Sequence, residues 1–308
     1  MQRILAIALN TFRESIRDKL LSAAVVLGLG LVAFSLVLAE LAHDQRVRVV
    51  FDVGLACVSV LGVLIAVFLG SSMLYQEIER KTLYGILSRN VRRGEFVVGK
   101  WLGITAAGAT VVAILAALHV AVAALSAGAS LAHFAAVTGG LVALVVVVLF
   151  LVKSRALVAL PLSLAGYGAA LVLGFTTELD ASLLAALHGL VVAEVALIAA
   201  LALFFSSFST PLTTGVITLG VWLIGRSGDA MATVSSRALP EIVREGLHAL
   251  AWVAPNFHLF VPGRGILSAA RADGALAAYL GSTIGYGAIY AGLLLAFGAF
   301  LFGRRDLP

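Results

Sequence analysis

The stretch GEFVVGKW, from Gly94 to Trp101, contains the pattern G-x-x-x-x-G-K. A working P-loop cradles phosphate on glycine-rich backbone amides. It aims its lysine at the phosphates and holds Mg²⁺ with the Ser or Thr that follows. Here Trp101 takes that last position, an arginine-rich run precedes the pattern and a long apolar run follows it. The match is a false P-loop. Lys100 and Trp101 read as interfacial anchors where a span enters a membrane, with Gly94 and Gly99 punctuating the end of a loop.

The other residues able to do chemistry are few and scattered. Glu194 lies in the middle of an apolar run, where an ionisable group is costly and is a functional candidate by default. It reads either as a pathway residue or as a helix–helix hydrogen bond that holds a bundle together. His119 and His188 fall at similar depth and are pathway candidates with it. Imidazole is a common metal ligand, but no two of the six histidines stand at i, i+3 or i, i+4. No metal site is assigned. Neither H-E-x-x-H nor G-x-S-x-G occurs, and no catalytic pair can be placed, so the chain is not read as an enzyme.

The elements that position these residues are set by composition. Of 308 residues, 61% are hydrophobic and only 12% are charged, with mean hydropathy +1.09. A soluble domain holds about 45–50% apolar and about 25% charged residues. The long apolar runs must therefore face lipid, which predicts an all-α polytopic integral membrane protein. The single cysteine, Cys57, excludes an internal disulfide and reads as a small packing residue. The start, MQRILAIALNTFRESIRDK, is interrupted by polar residues and does not read as a cleavable signal peptide.

A crossing helix needs about 20 apolar residues. Eight runs qualify as candidates: Leu20–Ala39, Val53–Tyr75, Trp101–Leu125, Leu131–Val152, Ala156–Phe175, Leu183–Phe205, Phe208–Gly225 and Leu276–Phe302. The seventh is short and opens near Pro211, a residue suited to a first helical turn. Fourteen of the 21 Lys and Arg, including every lysine, fall inside if both termini are cytoplasmic. The pair within 131–175 reads as a hairpin with the basic turn Lys153-Ser154-Arg155 in the cytoplasm; a re-entrant segment is the other reading. Outside the spans lie segment 1–19, the loop 76–100, an external segment 226–275 and the tail 303–308.

Three of these segments carry information. In 1–19, Ile4, Ala8, Phe12 and Ile16 share a helical face, which suits a helix at the cytoplasmic membrane surface or a partner-docking helix. In the loop, Gln76–Ser88 is charged but keeps Ile78, Leu83, Ile86 and Leu87. A short helix under the membrane fits this pattern, as does a solvated connector. In the external segment, Pro240 and Glu241 open an amphipathic helix that Pro255 ends. Pro255, Asn256, Phe257 and Phe260 then form an aromatic turn, which reads as an outer gate or as an interfacial anchor.

Four stretches carry a resemblance to one family. They are Ala8–Leu21, Glu77–Gly103, Leu201–Gly225, and VAPNFHLF at Val253–Phe260 with the terminal GRRDL. In their order and spacing the chain resembles the permease subunits of ABC transporters of the ABC-2, or type V exporter-like, class. The resemblance implies a helical bundle of six core spans, here with an extra hairpin for eight in all. It implies a second permease copy, most simply as a homodimer, in a bacterial cytoplasmic (inner) membrane. It also implies separate cytoplasmic ATPase subunits, which carry the ATP and Mg, while this chain binds no cofactor of its own.

By the same resemblance a coupling helix at about Gln76–Ser88 docks on the ATPase. Glu77, Glu79, Arg80, Lys81 and Thr82 match its polar face, with Leu83 and Leu87 on its apolar side. Asn90 stands where the family pattern has proline, and 126–180 exceeds the common pattern. Membrane lipid and a periplasmic partner are the remaining expected contacts, and nucleic acid is not among them. The expected function is export or membrane extraction of a cargo. A proton-coupled secondary transporter working through Glu194 is the alternative; against it, intramembrane charges are few and no inverted repeat is evident.

Overall fold

A computed structural model describes residues 1–79, 92–151, 155–233, 240–263 and 274–304. Among them every regular element is helical. The α-helices are α1 (Gln2–Ile16), α2 (Lys19–Leu41), α3 (Arg46–Glu79), α4 (Arg93–Ser126), α5 (Leu131–Leu151), α6 (Arg155–Gly174), α7 (Ala181–Ser206), α8 (Pro211–Arg226), α9 (Gly228–Ala232), α10 (Glu241–Val253) and α11 (Leu276–Arg304). Short 3₁₀ turns follow α2 at His43–Gln45 and α10 at Phe257–Phe260.

Six of these, counted over the described residues, are long and apolar enough to cross a membrane. They lie at Lys19–Leu41, Arg46–Ser72, Arg93–Ser126, Ala156–Gly174, Ala181–Ser206 and Leu276–Phe302. They mark the chain as an integral membrane protein. The two other expected spans correspond to α5, of 21 residues, and α8, of 16 residues. At 1.5 Å per residue α8 measures about 24 Å, short of the roughly 30 Å hydrocarbon core.

Local sequence explains where the helices stop and start. Asp18 separates α1 from α2 and caps the latter, its Oδ1 accepting from Leu20 N at 2.8 Å. α4 ends in a Schellman turn: Gly128, at φ +91, donates to Leu125 O, and Ala129 donates to Ala124 O. Asp180 Oδ1 accepts from Leu183 N and so caps α7. Pro211 opens α8 at its first turn, as its fixed φ and missing N–H suggest.

The chain divides into two compact units. The first is Met1–Ala66 with Leu102–Val195, the second Val67–Trp101 with Ala196–Pro308. In the first, lipid offers no hydrophobic drive for helices to associate, so close approach at small residues does the work. A Cβ on Gly62 would meet Val195 and Val112, and one on Gly108 would meet Val195 at 2.5 Å. α3, α4 and α7 thus converge on one valine. α3 and α7 run parallel, with Ser59 beside Glu194 and Gly62 beside Val195; α4 runs antiparallel to both.

α6 runs antiparallel to α7 and packs against both α5 and α1. Its end, Gly174, lies by Val120 of α4. α1 seats Ala8, Thr11, Phe12 and Ser15 inward, with Thr11 and the Ala8 carbonyl against Gly103 of α4. The amphipathic helix expected at a membrane surface is therefore docked on protein along this face. Its Leu5 remains 60% exposed.

In the second unit, α3 and α7 stay in contact at Gly70–Ala202 and Ser71–Ser206. α4 begins at Arg93, so Gly94–Lys100 stand inside a helix and not at a loop's end. Their amides belong to helical turns, which removes the backbone geometry a phosphate cradle requires.

Candidate functional site

Two arrangements bring together side chains that the sequence scatters. The first lies in the first unit. Glu194 on α7 is fully buried, and its Oε2 accepts a hydrogen bond from Ser59 Oγ of α3 at 3.0 Å. His119 Nδ1 of α4 stands 3.1 Å from His188 Nε2 of α7, and Tyr167 Oη of α6 stands 2.9 Å from His188 Nδ1. Both imidazoles are essentially without solvent exposure. Phe51 of α3 meets the His119 ring edge-on, and Tyr167 meets His188 the same way.

Proton bookkeeping orders this chain. If Tyr167 O–H donates to His188 Nδ1, then His188 Nε2–H donates to His119 Nδ1 and every contact is used. The opposite direction strands the tyrosine proton. In the first arrangement His119 Nε2 carries its own proton. It is buried and makes no hydrogen bond among the described residues. Only glycine permits this pose, because a Cβ at Gly54 would fall within the imidazole itself.

The centre therefore ties four helices together through side chains. Chemically it offers a relay of neutral donors and acceptors and a separate buried carboxyl. Among the described residues no group of three or more His, Cys, Asp or Glu converges as a metal site would require.

The second arrangement lies in the second unit. The turn after α10 is docked by α11. Tyr279 Oη donates to Leu259 O at 2.7 Å, and Asn256 N donates to Tyr286 Oη at 3.0 Å. Asn256 Oδ1 accepts from His258 N and shapes the turn. Pro255 is buried, and Phe257 and Phe260 have no exposure at all. Phe260 rests on Gly287, while Gly225 of α8 accommodates both Phe257 and the Pro255 carbonyl. An apolar cleft of about 340 Å³ is lined by Leu201, Phe204, Phe205, Val221 and Leu294 together with Pro255 of the turn.

At the start of α4 a different stack forms. Arg93 Nη1 donates to Phe302 O at 2.6 Å, and its guanidinium carbon lies 5.7 Å above the Phe302 ring. Phe302 stacks on Phe96 at 6.3 Å and 17°. Lys100 Nζ lies 5.8 Å from Phe96 on α4. Lys100 is 1% exposed, so it is a buried cation over a ring and not the interfacial anchor its sequence position suggested. Such desolvated contacts are each worth roughly 0.5–2 kcal/mol. Trp101 Nε1 donates to Ala196 O at 2.8 Å, which fixes α4 to α7.

Of the expected coupling residues, Glu77 and Glu79 form part of the last turn of α3. Arg80, Lys81, Thr82, Leu83 and Leu87 lie outside the described residues. The histidines and Glu194 are brought to buried helix contacts, and Pro255, Asn256, Phe257 and Phe260 to one docked turn. Sequence reasoning missed Ser59, Tyr167, Tyr279 and Tyr286. The tyrosines of α11, at i and i+7 on one face of an apolar run, were a readable signal. The chain matches no protein-family model, and no curated protein matches it.

Proposed function

We propose that this chain is the transmembrane subunit of an ABC-2-like transporter, driven by ATPase subunits on separate chains. The observation that carries the reading is a pair of 34-residue helices, α3 and α4, flanking the charged loop. Each extends for about 51 Å, well beyond the roughly 30 Å of hydrocarbon. A continuous helix is stiff, so force applied at residues 80–91 is delivered to the bundle and not lost in a slack connector. The order of the four resembling stretches supports the same assignment. ATP binding would close the ATPases, press on this loop and rearrange the spans so that a cargo leaves the membrane or crosses it.

We read eight crossings with both termini cytoplasmic from the charge bias, α8 being a short crossing that does not match the full hydrocarbon depth by itself. α6 ends beside Val120 and also touches α1, which is seated at Gly103. Those two points lie about 26 Å apart along α4. That depth favours a spanning α5–α6 hairpin over a re-entrant one. A second copy of the chain completes the transporter.

The test is affinity purification of the full chain from its native membranes in mild detergent. An ATP-hydrolysing subunit with its own P-loop should accompany it. A chain that purifies alone, and that moves solute on a proton gradient in vesicles, would replace this reading with the proton-coupled one.

A further inference from the structure

The second unit contains a continuous set of contacts from the base of the charged loop to the outer turn. It begins at Arg93, in the first turn of α4. Arg93, Phe96 and Lys100 stand at i, i+3 and i+7 and so share one face of α4. Two cations flank a pair of stacked rings there, in the order Arg93, Phe302, Phe96, Lys100. The stack holds the last turns of α11, and the Arg93 hydrogen bond to Phe302 O fixes its height. α11 then runs unbroken to Tyr286 and Tyr279, about 24 Å and 35 Å away along its axis. Those two hydroxyls hold the backbone of the outer turn at Asn256 and Leu259.

We propose that Arg93, Phe96, Lys100 and Phe302 are positioning residues that couple the start of α4 to the outer turn, with α11 as the strut between them. A helix cannot shorten along its axis, so a shift at the stack carries to the tyrosines. The tyrosines bond to main-chain atoms of the turn, so a shift of α11 acts on its backbone directly. The loop's identity as the place where force enters rests on the function proposed above; the linkage itself does not.

The experiment reads the linkage in the purified full chain in lipid nanodiscs, by amide hydrogen exchange. The reporters are the amides of Asn256, His258 and Val261, each hydrogen-bonded in the turn. Phe302→Leu and Phe96→Leu keep apolar bulk and remove the stack. Each should raise exchange at these amides several-fold, though neither residue touches the turn. Phe302→Tyr keeps the ring and should leave exchange near the wild-type rate. Tyr286→Phe should raise exchange locally, which shows that the reporter responds. Leu184→Ala, a core truncation in the other unit, should leave the turn unchanged, which separates linkage from general loosening.

Unchanged exchange in both leucine variants, with a clear response to Tyr286→Phe, would overturn the proposal. So would an equal rise in Leu184→Ala. No ATPase is needed, so a negative result here leaves the transporter reading intact. A missing ATPase partner likewise leaves the linkage intact.

Discussion

The hydrogen bonds that join separate elements in the two units are built on different chemistry. In the first, side chain meets side chain: Ser59 with Glu194, and Tyr167 with His188 with His119. In the second, side chain meets main chain: Tyr279 on Leu259 O, Tyr286 on Asn256 N, Trp101 on Ala196 O, Arg93 on Phe302 O. A side-chain pair is lost whole when either member changes, and it specifies which helices lie together. A side-chain bond to main chain sets the position of a segment and tolerates change in the segment's own residues. The first unit thus reads as a specified bundle and the second as a set of positioned segments, the arrangement expected where parts move as bodies.

The largest effects should come from glycines that permit the closest approaches. A Cβ at Gly225 would collide with the Pro255 carbonyl, a backbone atom, and with Phe257 at 2.7 Å. Gly225→Ala should therefore cost about 1–3 kcal/mol and dislodge the turn, seen as a lower melting temperature and greater exchange there. Gly54→Ala should cost a similar ~1–3 kcal/mol by evicting the His119 ring. It should leave the turn as it was. If both variants loosened both regions equally, the contrast between the units would fail.

The next effect is His188→Ala. It leaves the half-buried Tyr167 and the buried His119 without their shared partner, for a loss of roughly 1–2 kcal/mol in thermal unfolding. Tyr279→Phe removes one hydrogen bond and should cost about 0.6–1 kcal/mol. The smallest change belongs to Glu194→Gln, which keeps an acceptor for Ser59 and should shift stability by less than about 0.6 kcal/mol. A transport defect in that variant, at unchanged stability, would place Glu194 on the pathway; normal transport with altered stability would make it a packing residue.

Much of the helical layout was legible. Pro211 as a start, and Pro240 and Pro255 as the bounds of α10, all act through local backbone chemistry, which a sequence displays. The start of α4 was not. Lys100 and the arginines before it look like a loop when charges are counted: the Phe302 ring over Arg93 comes from another helix and has no local signature, and the Phe96 ring beside Lys100 sits four residues back on α4 itself. Nor was the polar centre legible as an assembly. Ser59 and Glu194, and likewise His119 and His188, sit on separate helices far apart in the chain. Their pairing depends on how Gly54, Gly62 and Gly108 let the helices approach. Each residue could be singled out by its polarity in an apolar run, but its partner could not.

The central claim is that force from a separate ATPase enters through the charged loop. Charge reversal at Arg80 and Lys81 tests it most directly. Wild-type and doubly reversed chains should be purified side by side from native membranes, with their membrane content and associated ATP hydrolysis measured. The account expects equal insertion, hydrolysis accompanying the wild-type chain, and hydrolysis lost or uncoupled from transport in the reversed one. Transport and associated hydrolysis at wild-type levels with both charges reversed would contradict it.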